Sequence, residues 1–416
     1  MDQQSQGDSQ KERPSDASKD RVLVTVTGPD RTGVTATLTG ILSEQGAVLH
    51  DIEQVVVQGQ LTLCLLVGLP RTRDVLKELL FAAKELGMEL DFKPVAGEAS
   101  PDPASRAADG PGGRRYVITA IGPALGAPHL HAIAKTLAAE GANIEKISRL
   151  SEGTLASVEI QALLPTGRDS DALKRDLMVV ATSNGFDVSL QRESLYRRSK
   201  RLVVMDMDST LIRIEVIDEL ARAAGVVDRV SKITERAMQG EMDYDQSLRE
   251  RVELLKGLDV KVLDRIAAEL PLTEGAETLI RALKRLGYSI AIISGGFSRA
   301  ADALKRRLGI DYAYSNNLEI EAGKLTGRVV GPIVNAQRKA ELLETIAQAE
   351  GVLLDQVIAV GDGANDALML ERAGLGIAFH AKPKLRESAD TSISASGLDA
   401  ILYLLGISAR ELQEIE

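Results

Sequence analysis

The chain has 416 residues, 44% of them apolar and 3% aromatic with no tryptophan, and a formal net charge of −10. That length fills two to four domains, and the acidic balance with few aromatics excludes the basic, base-stacking surface of a nucleic-acid binder. A single cysteine, Cys64, in the apolar run LTLCLLVGL, excludes an internal disulfide and fits a reducing, cytoplasmic setting.

Residues 1–20 lack an apolar segment and are expected to form a disordered tail. No stretch approaches 18 uninterrupted apolar residues, so neither a signal peptide nor a membrane span is expected. Two related segments follow, at 21–95 and 115–196. RVLVTVTGPDRTGVTATLTGILSEQGAVLHDIEQVVV aligns with RYVITAIGPALGAPHLHAIAKTLAAEGANIEKISRLS. In each copy a strand ends in Gly-Pro (Gly28, Gly122), a helix follows, and a Gly-Ala pair (Gly46, Gly141) precedes the second strand. A third strand, a second helix and a fourth strand complete a βαββαβ unit, predicted twice. Residues 96–114, rich in Pro, Gly, Ala and Ser, read as a flexible linker. The basic run YRRSKR separates the second copy from the rest of the chain.

From residue 201 to 416 apolar strands (LVVM, SIAIIS, VIAVG) alternate with helices, the pattern of a parallel α/β sheet. An almost wholly helical insertion, about 216–270, is expected to cap one edge. Four features fall at strand ends or helix starts: Asp206 and Asp208 in DMDST, Ser294 in ISGGF, Lys339 in QRKAE, and Asp362, Asn365 and Asp366 in GDGAND. Ligands of open α/β sheets bind at the carboxyl ends of strands, so these groups should meet in one crevice. Converging carboxylates require a cation, and hard oxygen ligands select Mg²⁺. A helix predicted to begin at the Ser-Gly-Gly turn would offer N–H groups to an anion. Lys339 in the first turn of its own helix opposes the helix dipole unless an anion lies close, although Arg338 shares the position.

The order DxDST, SGG, K, GDGAND resembles the motif set of the haloacid dehalogenase superfamily over about residues 202–405, and Asp208 aligns the chain with its phosphatases. The resemblance implies a Rossmann-like parallel-sheet core with a helical cap. Asp206 would then be the nucleophile and Asp208 the acid and base. Mg²⁺ would be held by Asp206, the Asp208 main chain and Asp362. Ser294, Gly295 and Lys339 would bind phosphate, with Asn365 in reach, and Asp366 would orient Lys339 or metal-bound water.

Inside the insertion two charges break the apolar pattern. Glu215 lies between Ile214 and Val216, and Arg251 borders the stripe Leu248, Val252, Leu255. They either pair with each other or turn outward, or they serve a ligand. DMDSTLIRIEVIDELA, AMQGEMDYDQSLRERVELL and ISGGF together resemble phosphoserine phosphatases. That resemblance implies that Glu215 takes the substrate ammonium of O-phosphoserine and Arg251 its carboxylate, with Met238 and Tyr244 lining the pocket. The two βαββαβ units resemble ACT domains, α+β ferredoxin-like modules that bind amino acids. Asp30 and Gly33 match the ligand-binding turn of the first unit and Asn143 a ligand stretch of the second, whose GPALGAPHL lacks the acidic residue. L-serine is the expected regulator and a homodimer the expected assembly, or else both units are dimerisation or spacing modules. His50, His129, His131 and His380 show no metal-ligand spacing and receive no catalytic role.

Overall fold

The structure, a computed structural model, describes residues 21–70, 74–95, 113–152, 155–382, 385–386 and 389–415. The expectations for residues 1–20 and for 96–112 of the linker lie outside the described residues. The chain divides into two compact units, Met1–Ser105 and Arg106–Glu416.

In the first unit, strands β1 (Arg21–Pro29), β2 (Val48–Val57), β3 (Gln60–Gly68) and β4 (Glu89–Val95) form a sheet in the order β2-β3-β1-β4, every neighbour antiparallel. Helices Val34–Glu44 and Asp74–Glu85 lie on one face. Alternation in the strands decides which face: Val22, Val24 and Val26 of β1 and Leu61, Leu63, Leu65 and Val67 of β3 are buried with helix residues Leu38, Leu42 and Leu79. Asp30 and Gly33 sit exposed in the β1–helix turn, where Gly33 takes φ 97°. That left-handed conformation explains the glycine. The outer strand β2 exposes Val55, Val56 and Val57.

The second unit repeats the arrangement with β5 (Arg114–Gly122), β6 (Asn143–Ser151), β7 (Ala156–Leu164) and β8 (Asp187–Arg192), in the order β8-β5-β7-β6. Asn143, the first residue of β6, is exposed. The parallel part follows: β9 (Leu202–Met205), β10 (Ser289–Phe297), β11 (Tyr312–Glu321), β13 (Val357–Gly361), β14 (Leu375–Phe379) and β15 (Thr391–Ile393), with β12 (Lys324–Val330) antiparallel to β11 at the edge. Among the described residues, all of these join one sheet in the order β12-β11-β10-β9-β13-β14-β15-β8-β5-β7-β6. Strand β9 is wholly buried between parallel partners β10 and β13, so the residue after it emerges at the centre of the sheet's carboxyl edge. The insertion forms four helices, Val216–Ala224, Val227–Met238, Tyr244–Glu253 and Val260–Ala268. No described helix is long and apolar enough to cross a membrane.

Segments 115–196 and 201–416, read from the sequence as separate domains, therefore share a sheet, through the antiparallel contact of β8 with β15 at Thr391 and Ser189. The joint is reinforced by Asp187. Its Oδ1 accepts from Ser394 N (2.8 Å) and Ser394 Oγ (2.9 Å), and its Oδ2 from Ala395 N (2.9 Å). Gln191 Nε2 donates to Leu404 O at 3.0 Å, and the buried Arg197 pairs with the buried Glu159. Asp187→Ala strands buried donors and should lower unfolding free energy by about 3 kcal/mol, measured by urea denaturation; a loss under about 0.5 kcal/mol would show that the joint holds without it.

Candidate active site

Asp206 leaves β9 with its N–H still bonded to Val360 O of β13 at 2.9 Å. Its Oδ1 accepts from Met207 N (2.7 Å) and its Oδ2 receives Lys339 Nζ (2.7 Å). The chain then turns tightly: Ser209 takes φ 57°, a left-handed conformation that costs a non-glycine residue about 1 kcal/mol. The turn brings Ser209 Oγ onto Glu215 Oε1 at 2.8 Å, and Asp208 Oδ1 onto Val216 N, the first residue of a cap helix, at 3.3 Å. Asp208 is buried. Loss of water raises its carboxyl well above the ordinary range, and the charges of Glu215 and Asp206 push it further. Glu215 is raised too, by partial loss of water in the crowded site, against the opposing Ser209 hydrogen bond.

Lys339 lies in the first turn of helix Ala336–Ala349 and is fully buried. Burial alone would lower its ammonium, but Asp206 and Asp366, each at 2.7 Å, overcome that and hold it well above its usual value. Arg338 turns away to Glu341 at 3.1 Å, which leaves Lys339 as the cation of the site. Two aspartates stand against this cation in the first helical turn.

The Ser-Gly-Gly segment corrects one expectation. Strand β10 continues through it with a register shift between Ile293 and Phe297, and the helix starts only at Ser298. The glycines are required by close approach: a Cβ on Gly295 would stand 2.1 Å from Tyr244 Oη, and one on Gly296 2.5 Å from Asp208 Oδ2. Buried Ser294 accepts from Gly296 N through Oγ at 2.9 Å.

After β13, a Cβ on Gly361 would stand 2.4 Å from Asp366 Cγ, so this glycine admits the aspartate. Asp366 accepts from Lys339 with Oδ1 and from Gly363 N with Oδ2 (3.0 Å). Asn365 is half-buried beside it, close over Gly363. Burial first, then Asp366 and Asp206, push Asp362 up to about 7; burial and Asp206 push Asp366 to about 7 against the pull of Lys339. Ligand oxygens of Asp206, Asp362 and Asp366 lie within 4.8 Å of one another. Three carboxylates facing one buried lysine leave a negative surplus, which fits a hard divalent cation. Two of the expected metal residues, Asp206 and Asp362, are in that trio; the Asp208 carboxylate points instead to the cap helix.

On the cap side, Tyr244 Oη donates to Gly295 O at 3.2 Å, and burial raises the phenol to about 12. Arg251 is half-buried and its Nε donates to Ser247 O at 3.3 Å. Among the described residues no ion pair joins it to Glu215, so the mutual pairing considered from sequence is not formed. Met238 is 66% exposed at the end of its helix, and the nearby Met242 is buried instead. Sequence reasoning missed Thr210, whose Oγ1 donates to Asp362 at 3.4 Å, and Gly296 and Gly361. It also missed buried Asn316.

A carboxylate bonded to a buried lysine, a raised neighbour two residues on and an acidic trio at the carboxyl edge of a parallel sheet are the features of a haloacid dehalogenase-like hydrolase. That family matches residues 200–374, and ACT domains match 20–93 and 115–191. The chain is 43% identical over 395 residues to the phosphoserine phosphatase of Streptomyces coelicolor, covering 94% of this chain and 93% of that protein. It is 44% identical over 400 residues to the phosphoserine phosphatase of Mycobacterium tuberculosis, covering 95% of each. A crystal structure of a probable phosphoserine phosphatase from Vibrio cholerae matches with TM-score 0.57 and 36% identity, over 72% of this chain and 89% of that one. The chain belongs to the phosphoserine phosphatase family.

The raised Asp362 makes a pH prediction. A carboxyl that binds its proton more tightly when folded contributes stability that is full below its unfolded value, about 4, and is lost as pH rises to about 7. Metal-free protein should therefore melt progressively lower across that window. Mg²⁺ should raise the melting temperature more at pH 7.5 than at pH 5, and equal shifts at both would contradict the assignment.

Proposed function

We propose that the chain hydrolyses O-phospho-L-serine to L-serine and phosphate, the last step of serine biosynthesis, through an aspartyl phosphate on Asp206. One observation carries the reading: the two carboxylates of DMDST are held unequally. Asp206 bonds to the buried Lys339 ammonium and carries the attacking oxygen, while Asp208, raised by burial and neighbouring charge, keeps the proton it must give.

An Asp206 oxygen attacks phosphorus, the bond from phosphorus to the seryl oxygen breaks, and Asp208 delivers its proton to that oxygen. Asp208, now ionised, takes a proton from water, which attacks the phosphorus of the acyl phosphate. Cleavage of that mixed anhydride frees phosphate and restores Asp206. Lys339, Ser294 and the Gly295 N–H hold the phosphoryl oxygens, with Asn365 at their margin. Arg251 takes the substrate carboxylate and Glu215 its ammonium, beside Tyr244 and Met238. The acidic residues suit Mg²⁺ held by Asp206, Asp362 and the Asp208 main chain, which would supply positive charge against repulsion between nucleophile and substrate.

The two ACT units support regulation by L-serine, with Asp30 and Gly33 in the first unit and Asn143 in the second as its contacts. Exposed outer strands β2 and β6 support a homodimer, and the lone Cys64 supports a cytoplasmic setting. The acidic net charge and scarce aromatics support a reading without a nucleic-acid partner.

A phosphate-release screen across phosphoamino acids and sugar phosphates tests the substrate. Arg251→Ala should raise KM for O-phosphoserine about a hundredfold, as for a lost charge-assisted fork, and leave p-nitrophenyl phosphate hydrolysis nearly unchanged; equal loss on both would make Arg251 structural. Asp30→Ala should abolish the response to added L-serine with kcat retained, measured by titrating serine at fixed substrate. A full response in that variant would remove the turn from the regulatory site.

A further inference from the structure

Helix Tyr244–Glu253 carries Tyr244 in its first turn and Arg251 two turns later. That first turn grips the core at two points. Tyr244 Oη donates to Gly295 O at 3.2 Å, and Asn335 Nδ2 donates to Asp245 Oδ1 at 3.1 Å. Asn335 is also the N-cap of the helix bearing Lys339, its Oδ1 accepting from Arg338 N at 3.0 Å. Buried Asn316 closes the circuit: Nδ2 donates to Gly295 O and Oδ1 accepts from Val334 N, both at 2.8 Å. Each asparagine thus uses its donor toward one segment and its acceptor toward another.

A phosphomonoester that also bears a carboxylate must reach two anion sites at once, the Ser294–Gly295–Lys339 cradle on the core and Arg251 on the cap. Their separation decides whether both are filled, because displacements near 1 Å cost about a hundredfold in rate. We infer that the Asn335–Asp245 hydrogen bond is a latch that sets this separation, making the two side chains positioning residues for recognition of a carboxylate-bearing phosphomonoester. The inference rests on Arg251 as the carboxylate partner. Asp245 also lies 4.0 Å from the exposed Arg249, a long contact that contributes little.

The amide geometry allows a polarity-reversal test. Asn335→Asp keeps the oxygen that caps the lysine helix, loses the donor, and sets two carboxylates against each other. Asp245→Asn alone keeps an acceptor. The double variant N335D/D245N restores a hydrogen bond in the reverse sense and preserves the pair's net charge. For full-length protein with Mg²⁺, N335D should raise KM for O-phosphoserine about tenfold, the loss of one charge-assisted hydrogen bond, with KM for p-nitrophenyl phosphate nearly unchanged. Its melting temperature should stay within about 3 °C, since the cap is retained. D245N should be near native and the double variant should recover most of the loss. Equal KM increases on both substrates, an N335D variant with native KM, or a double variant no better than N335D would overturn the latch. Wild-type protein that fails to prefer O-phosphoserine over the aryl ester would instead overturn the substrate reading beneath it.

Discussion

Everything at the site is arranged around one buried ammonium. Lys339 has no water to solvate it, and a charge in that position is tolerable only with close counter-charges. Asp206 and Asp366 supply them at 2.7 Å each, from the ends of two neighbouring strands. Such an arrangement is weak support for stability, since well-packed apolar groups do as well. Its value lies in asymmetry: the lysine bonds directly to Asp206, while the Asp208 carboxylate turns to Val216 N at the start of a cap helix.

The backbone around these groups is shaped by what it must let through. Gly295, Gly296 and Gly361 each stand where a methyl group would collide with a functional atom: the Tyr244 hydroxyl, the Asp208 carboxylate or the Asp366 side chain. Ser209 accepts a strained left-handed turn, and the result is that Glu215, nine residues after Asp206, returns to the same place. Strain and crowding concentrate where reacting groups must converge.

Much of this was legible in the sequence. The apolar runs LVVM, SIAIIS and VIAVG become β9, β10 and β13, and the charged residues that follow them meet because parallel strands share a carboxyl edge. The matching glycines of the two early segments reported a repeated topology, and both copies fold in the same strand order. What stayed hidden depends on register and packing. Strand β15 is three residues long and has no periodicity to read; the join of β8 to β15 rests on it. The glycines after Ser294 resemble a helix start by composition, yet pairing with β11 keeps them extended as far as Phe297. Asn316 and Asn335 look like ordinary turn and cap residues until the segments they bridge are placed side by side.

The basic run YRRSKR reads as a spacer, yet its residues are fastened at nearly every step. Arg197 is sealed against Glu159, Ser199 O accepts from Gln356 Nε2 at 2.8 Å, Lys200 Nζ reaches Asp355 O at 2.6 Å, and Arg201 N bonds to Gln356 O at 2.9 Å. A segment anchored in this way has no slack. Evolution can vary the tips of surface loops freely, but a residue gained or lost here would put the second βαββαβ unit out of phase with the strand that ends at Asp206. Length drift among relatives should accordingly be found elsewhere along the chain.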